Sequence, residues 1–439
     1  MTGFALGHGF GDRCRSPEPR PVALPADFLA RWTPDFQIYR VARSYFAKLD
    51  YAALKPAISK TYYVKSTGSD AAAGTAEAPL LSLSTALAKS DVDEVVIDCS
   101  GGDYIMRGAR GWNNTQPSRD VSVRVIGPGR AISVATASSS LPTWVNTAGA
   151  VYKTMISAAS ARSVIDLANK EADGFYQRLA EVGSTGAVAS TPGSWFHDGT
   201  DLHAQAFDGR NLVGDALLLP CGTGNNCRVP SADRTIYIDG VDFVGGVPLN
   251  FTAAGAVDPL VVALNCSFQG SHNQSANNVT IFGPGRFYFY RCGSGRAYRD
   301  GFNYHGNAFG DPKFFENECW TGLSGYVGTS DNASTAHENA VGIRLNGRYA
   351  GALNRTVADI NGTMIAIFGC TIGQPRTVAG GMECLAQQNS NKTYIAGVRF
   401  ESGGNAELVV TGTASVARRD MPAPARAATV EDVGTLTGW

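Results

Sequence analysis

FYFYRCGSGRAYRDGFNYHGNAFGDPKFFENECWTG, residues 287 to 322, holds two apolar, β-rich runs that each end at a cysteine, Cys292 and Cys319. Four further runs fall into the same frame: IYIDGVDF at Val241, VVALNCSF at Cys266, MIAIFGCTIG at Cys370 and TYIAGVRF at Val398. Successive gaps are 25, 26, 27, 51 and 28 residues, and the gap of 51 places a missing rung near Leu345 in VGIRLNGRY. Two positions beyond the aligned residue stand Phe243, Phe268, Ile372 and Phe400, as alternate residues on one strand face should. A repeat of roughly 25 residues without helical periodicity is one coil of a β-solenoid, whose equivalent residues stack as ladders inside the cylinder. Cys266, Cys292, Cys319 and Cys370 are then buried thiols acting as small apolar side chains.

Composition agrees with an all-β chain. Charged residues make up 17% of the 439 positions, while glycine alone reaches 51, which suits a turn-dense β protein. Lys plus Arg number 37 and Asp plus Glu 38, and no basic run follows a phosphate backbone, so no nucleic-acid partner is expected. No apolar run approaches the ~20 residues of a membrane-spanning helix, so no membrane insertion is expected. The start, MTGFALGHGFGDRCRSPEPRP, lacks the basic and apolar regions of a secretory signal. Nine cysteines without CxxC spacing argue against zinc, and no cofactor is implied. Only Cys221 and Cys227, in CGTGNNC, are close enough to suggest a loop disulfide.

Upstream, VVIDCSGGDY around Cys99 and VSVRVIGPG around Ile126 repeat at 27 residues. Before them, TYYVKSTGSDAAAGTAEAPLLSLSTALAKS, residues 61 to 90, carries Tyr62, Tyr63, Val64, Gly68, Ser69, Asp70, Gly74, Thr75, Ala78 and Pro79. This segment resembles the opening of right-handed parallel β-helix proteins of the pectate-lyase-like superfamily. Leu80, Leu81, Ser82 and Leu83 replace the aromatic and Thr-Ile usual there. The resemblance implies a right-handed single-stranded parallel β-helix, a stiff rod of a kind that binds or cleaves polysaccharide. Without a secretion signal, the economical source is a phage tailspike or the spike of a phage-like particle. Such spikes are commonly homotrimers located on the particle surface.

The expected organisation is a docking or capping segment over 1–58, first coils over 59–149, an insertion over 150–232, main coils over 233–410 and a tail over 411–439. In the first segment, Thr33 and Pro34 open a stretch in which Ile38, Ala42, Tyr45 and Leu49 recur at helical spacing, so one helix is expected there. It would cap the solenoid or dock to other particle proteins. The insertion contains TPGSWFHDGTDLHAQAFDGR, which predicts a hairpin turning at Asp198-Gly199 with His197 and His203 on its two strands. Those histidines are read as ordinary cross-strand residues, and Trp195 as a substrate-binding candidate.

The richest polar cluster lies in residues 296 to 348. Asp300, His305, Asp331, His337 and Glu338 are the catalytic candidates, because glycoside hydrolysis needs two carboxyl groups and β-elimination needs a base such as His. His272, Tyr298, Asn303, Tyr304 and Arg344 are candidates for binding sugar. His272 and Tyr298 both stand six positions after a ladder cysteine, so they are expected to be neighbours. Asp300 stands eight after Cys292, and the residue eight after Cys319 is Val327, so the cysteine frame aligns no carboxylate pair. RDGFNYHG, residues 299 to 306, and the stretch from Asp331 to Glu338 are expected to be surface loops. The same residue types also satisfy backbone groups in sharp solenoid turns. Two functions follow: a noncatalytic attachment spike for cell-surface polysaccharide, and a polysaccharide depolymerase, hydrolase or lyase. A purely structural particle protein is a third.

Overall fold

The computed structural model describes residues 18–438 apart from 139, 158–159, 273–275, 326–330, 374, 377–382, 402–405 and 420–434. Asp50–Trp439 forms one compact unit, a parallel β-solenoid of about 11 turns. Each complete coil gives one strand to each of three sheets, which hold twelve, nine and eight strands among the described residues. One coil shows the order. A third-sheet strand, Val279–Phe282, is followed by the first-sheet strand Gly285–Tyr290 and the second-sheet strand Gly293–Gly295, and the next coil opens at Phe302–His305.

The corner between the first and second sheets explains the cysteine frame. A single residue turns the chain there in the left-handed conformation: Asn265, Arg291, Glu318 and Asn346 have φ of 52°, 51°, 52° and 51°, and Gly369 and Gly397 serve the same role. This costs a non-glycine residue ~1–2 kcal/mol, yet it aims the following side chain inward. The pairings Ser267↔Gly293 and Gly293↔Trp320 stack Cys266, Cys292 and Cys319 on successive coils. Their thiols also link coils, Cys292 Sγ donating to Ala263 O at 3.2 Å and Cys319 Sγ to Phe289 O at 3.4 Å. The missing rung is Gly347 rather than Leu345, because Trp320 pairs with Arg348 and Arg348 with Thr371. A Cβ at Gly347 would lie 2.5 Å from the Tyr349 ring, which fills that rung instead.

Two other expectations shift by small steps. Asp98, not Cys99, pairs with Ile126, so the upstream repeat is 28 residues; Cys99 is buried while Ile126 is 36% exposed, as a one-residue slip requires. Cys221 and Cys227 form no disulfide: all eight described cysteines are free and buried. Cys221 packs beside Leu219 and Val244, whereas Cys227 lies in the solenoid core.

The opening motif has a structural basis. Asp70 accepts from Leu81 N, Ser82 N and Ser82 Oγ at 3.1, 2.7 and 2.6 Å, fixing the chain as it enters the helix Leu83–Leu87. A Cβ at Gly68 would come 2.2 Å from Leu80 O, so only glycine fits that close approach.

The insertion is larger and begins earlier than the sequence indicates. The chain leaves after the second-sheet strand Ala131–Val134 and returns at the third-sheet strand Asn225–Arg228. Between them, 135–224 builds a five-stranded and a three-stranded sheet. Ser194–His197 and Asp201–Gln205 form the expected hairpin, with Phe196 opposite His203. Trp195 is only 3% exposed inside the insertion core and cannot present a face to sugar. At the other end, Ser415–Arg419 and Thr435–Gly438 continue the first sheet, so part of the expected tail is solenoid.

Met1–Leu49 is a second compact unit. Its helix is Ala26–Arg31, upstream of Thr33. The stretch with helical spacing forms a hairpin, Gln37–Val41 against Ser44–Lys48, joined by Arg20–Pro21 into three strands. Ala42 adopts φ 53° at the turn, and Ile38 and Tyr45, which also fit a strand period, are the buried residues. Aromatic and β-branched content outweighed the coincident 3.6 spacing.

Candidate active cleft

Both stretches expected as loops contain third-sheet strands. FNYH is the strand Phe302–His305, and Asn332–His337 lies directly beside it with Phe302↔Ser334, Asn303↔Thr335, Tyr304↔Ala336 and His305↔His337 in register. Alternation then sorts the candidates. Phe302 and Tyr304 point inward, while Asn303 and His305 point outward. Tyr304 stacks on Phe314 at 3.9 Å within the core and is fully buried, so it is no sugar ligand. Arg344 is equally buried, bidentate to Asp359 at 3.0 and 2.9 Å and bonded to Ser334 Oγ; it braces the wall from inside.

The outward residues line a cleft of about 510 Å³. Asn250, Thr280, Asn303 and Thr335 form a polar ladder across four coils, the first three opening on the cleft, which His272, Arg299, Asp300, His305, Asp331 and His337 also line. Asp300 and Asp331 sit where the second-to-third-sheet connections of successive coils re-enter the sheet. The cysteine frame misses this pairing because those connections differ in length. The main chain brings them together: Asn332 N, next to Asp331, donates to Asp300 Oδ1 at 2.6 Å. Val327, the position the cysteine frame pairs with Asp300, lies outside the described residues.

The carboxyl pair is 8% and 3% exposed. Burial pushes Asp300 up to about 7, against bonds from Asn332 N and Asn303 Nδ2, and the neighbouring Asp331 charge adds to the rise. Burial likewise raises Asp331 to about 6, opposed by Arg299 and Arg376. With one raised to about 7 and the other to about 6, the two carboxyls hold a proton close to neutrality. Two buried acceptors at the cleft have no donor among the described residues, Asp331 Oδ2 and Asn303 Oδ1. Unpaired buried acceptors cost ~1–3 kcal/mol each, a cost a hydroxyl-rich ligand would offset.

Beside the carboxyls runs a ring stack. Phe282, His305 and His337 lie parallel on three coils, with centroids 4.3 and 4.2 Å apart. His305 Nδ1 bonds Glu338 Oε2 at 2.5 Å. Thr335 donates its hydroxyl proton to Ala358 O, so it accepts from His337 Nε2 at 2.9 Å. Burial and the His305 charge depress His337 to about 3, and burial with Arg178 and Arg162 depresses His272 to about 4. These rings are neutral near pH 7. Ligand atoms of His305, His337 and Glu338 lie within 4.8 Å of one another, as do those of Asp198, Asp201 and His203. Parallel stacked rings aim their lone pairs side by side rather than at one point, which suits a metal poorly. In the second group Asp198 and Asp201 already bond His203 and Lys153.

Tyr298 lies outside the cleft lining, 5.7 Å beneath Arg178, although its backbone NH bonds Ser271 Oγ, next to His272. Arg299 and Thr280 were not singled out from sequence. The repeated final histidine of FNYH and STAH was the signal that aligns the third sheet and so reveals the Asp300–Asp331 neighbourhood.

No protein-family model and no curated protein sequence matches the chain. Among solved structures the chain is similar to XylC in complex with xylose, at 10% identity and a TM-score of 0.47 over 83% of this chain and 70% of that one. It is also similar to a glycoside hydrolase, at 7% identity and TM-score 0.38 over 86% and 96%, and to the GH136 lacto-N-biosidase of Eubacterium ramulus, at 10% and 0.25 over 86% and 68%. These likenesses concern the course of the backbone. Fold and cleft together define the class: a parallel β-solenoid with a carboxyl-bearing lateral cleft.

Proposed function

We propose that the protein is a glycan-cleaving enzyme, a glycoside hydrolase working through Asp300 and Asp331. The observation that carries this reading is the adjacent, buried carboxyl pair held near neutral pH in a polar lateral cleft. Asp331 ionises first, favoured by Arg299 and Arg376, and acts as base or nucleophile; Asp300 retains the proton and donates it to the leaving glycosidic oxygen. Asn303 and the ladder of Asn250 and Thr280 hold sugar hydroxyls. The protein should release new reducing ends from a bacterial or plant polysaccharide panel; binding without any cleavage across that panel contradicts the reading.

Elimination is the second catalytic reading, supported by the His305–Glu338 pair. With Nδ1 donating to Glu338, Nε2 carries the lone pair of a neutral base. An unsaturated, ultraviolet-absorbing product would favour it over hydrolysis. The attachment reading rests on the separate compact N-terminal unit, which would dock the solenoid, as a homotrimer, on a particle. Light scattering that gives a monomer would oppose that arrangement.

A further inference from the structure

A second cleft, of about 360 Å³, lies on the outer face of the second sheet, away from the third-sheet strands that carry the carboxyl pair. Its floor is Trp320. The indole lies across Gly293 of the preceding coil, where a Cβ would come 2.6 Å from the ring. Of the five tryptophans in the described residues, Trp32, Trp112, Trp144 and Trp195 are buried, and Trp320 alone is half-buried. Its Nε1–H has no acceptor among the described residues. A flat aromatic face with a free donor at its edge suits the apolar face and hydroxyls of a pyranose ring.

The walls add charge. Arg130 is paired with Asp242 at 2.8 Å and Arg291 with Glu318 at 2.8 Å, so those four charges balance. Lys170, from the insertion, has no carboxylate partner among the described residues, and its ammonium lies 4.4 Å from the Tyr176 centroid. Among the side chains that line the cleft this leaves Lys170 as the one cation without a carboxylate, while behind them Glu171 and Asp173 both pair with Arg296. The wall is fixed: Arg296 is bidentate to Asp173 at 2.8 Å, and the Phe175 ring lies where a Cβ at Gly295 would come within 2.4 Å, binding the insertion to the solenoid.

We infer that this cleft is a separate binding subsite for an anionic sugar, a hexuronate stacked on Trp320 with its carboxylate toward Lys170. The inference rests on the glycan-directed reading above, and names an acidic polysaccharide as the ligand class. It is tested on the Asp300→Asn protein, so that cleavage does not interfere, by titrating trigalacturonate and galactotriose and following tryptophan fluorescence and calorimetry. Trigalacturonate should bind at least about fivefold tighter and shift the fluorescence. Trp320→Ala should abolish the shift and weaken binding about tenfold, Trp320→Phe should restore most of the calorimetric affinity but not the shift, and Lys170→Gln should erase the preference for the uronate. Unchanged trigalacturonate binding in Trp320→Ala, or equal affinity for both trisaccharides, overturns the subsite. Neither result bears on cleavage, which is read separately as the loss of turnover in Asp300→Asn.

Discussion

At the residue scale the account turns on the protonation of two neighbouring carboxyls, Asp300 and Asp331. With the pair near 7 and near 6, the competent form, Asp331 ionised and Asp300 protonated, peaks between about pH 6 and pH 7, so the rate profile should be a bell centred in that window. The same groups set stability. A carboxyl raised in the folded state contributes stability that is present below its unfolded value near 3.8 and lost as pH rises through about 7. His272 and His337, depressed to about 4 and about 3, act oppositely, gaining stability as pH rises toward 6.5, so the wild-type curve partly cancels. The comparison with Asp300→Asn isolates the carboxyl: its Tm relative to wild type should rise steadily from pH 4 to pH 7, and a constant difference would contradict the buried acid. Glu338→Gln discriminates between chemistries. It removes the partner that raises His305, so the imidazole titration seen by NMR should move down. Hydrolysis should change less than about tenfold, whereas elimination through His305 would fall by ~10²–10⁴-fold.

At the element scale, strands are held to one register by what lies between coils. Gly342 shows how tightly: a Cβ there would meet the Phe314 ring at 2.1 Å, so Gly342→Ala should cost ~1–3 kcal/mol in a denaturant melt. Arg344→Ala leaves Asp359 and Glu316 uncompensated in the wall and should cost ~3–5 kcal/mol, while the folded fraction retains glycan affinity because Arg344 does not reach the cleft. The cysteine ladder was legible in the sequence because a one-residue corner fixes its offset from the apolar first-sheet strand, so the motif stays recognisable while coil length changes. The third-sheet register was not, because the connection from the second sheet spans 270–278, 296–301 and 322–331 in successive coils. That variability hid the Asp300–Asp331 neighbourhood and made Tyr304 and Arg344 look like surface residues. Asn303 and His305, expected on a surface loop, lie on the strand Phe302–His305, where alternation turns their polar side chains outward. The N-terminal hairpin was misread because Ile38 and Tyr45 satisfy helix and strand periods at once.

At the scale of the whole molecule, one of the three connections of the coil carries the specialised parts. The insertion over 135–224 and the residues that deliver Asp300 and Asp331 all lie between the second and third sheets, while the first sheet runs with tight corners as the spine. A solenoid distributes its stability over neighbouring coils, so a polar, partly unsatisfied cleft on one face is tolerated without loss of the fold. The central claim is that this cleft cuts glycan with its carboxyl pair. The direct measurement is turnover and affinity, side by side, for wild type, Asp300→Asn and Asp331→Asn on a polysaccharide that the wild type degrades. Reducing-end release should fall by ~10²–10⁴-fold in both variants while affinity stays within about threefold. Wild-type turnover in either variant would contradict the account.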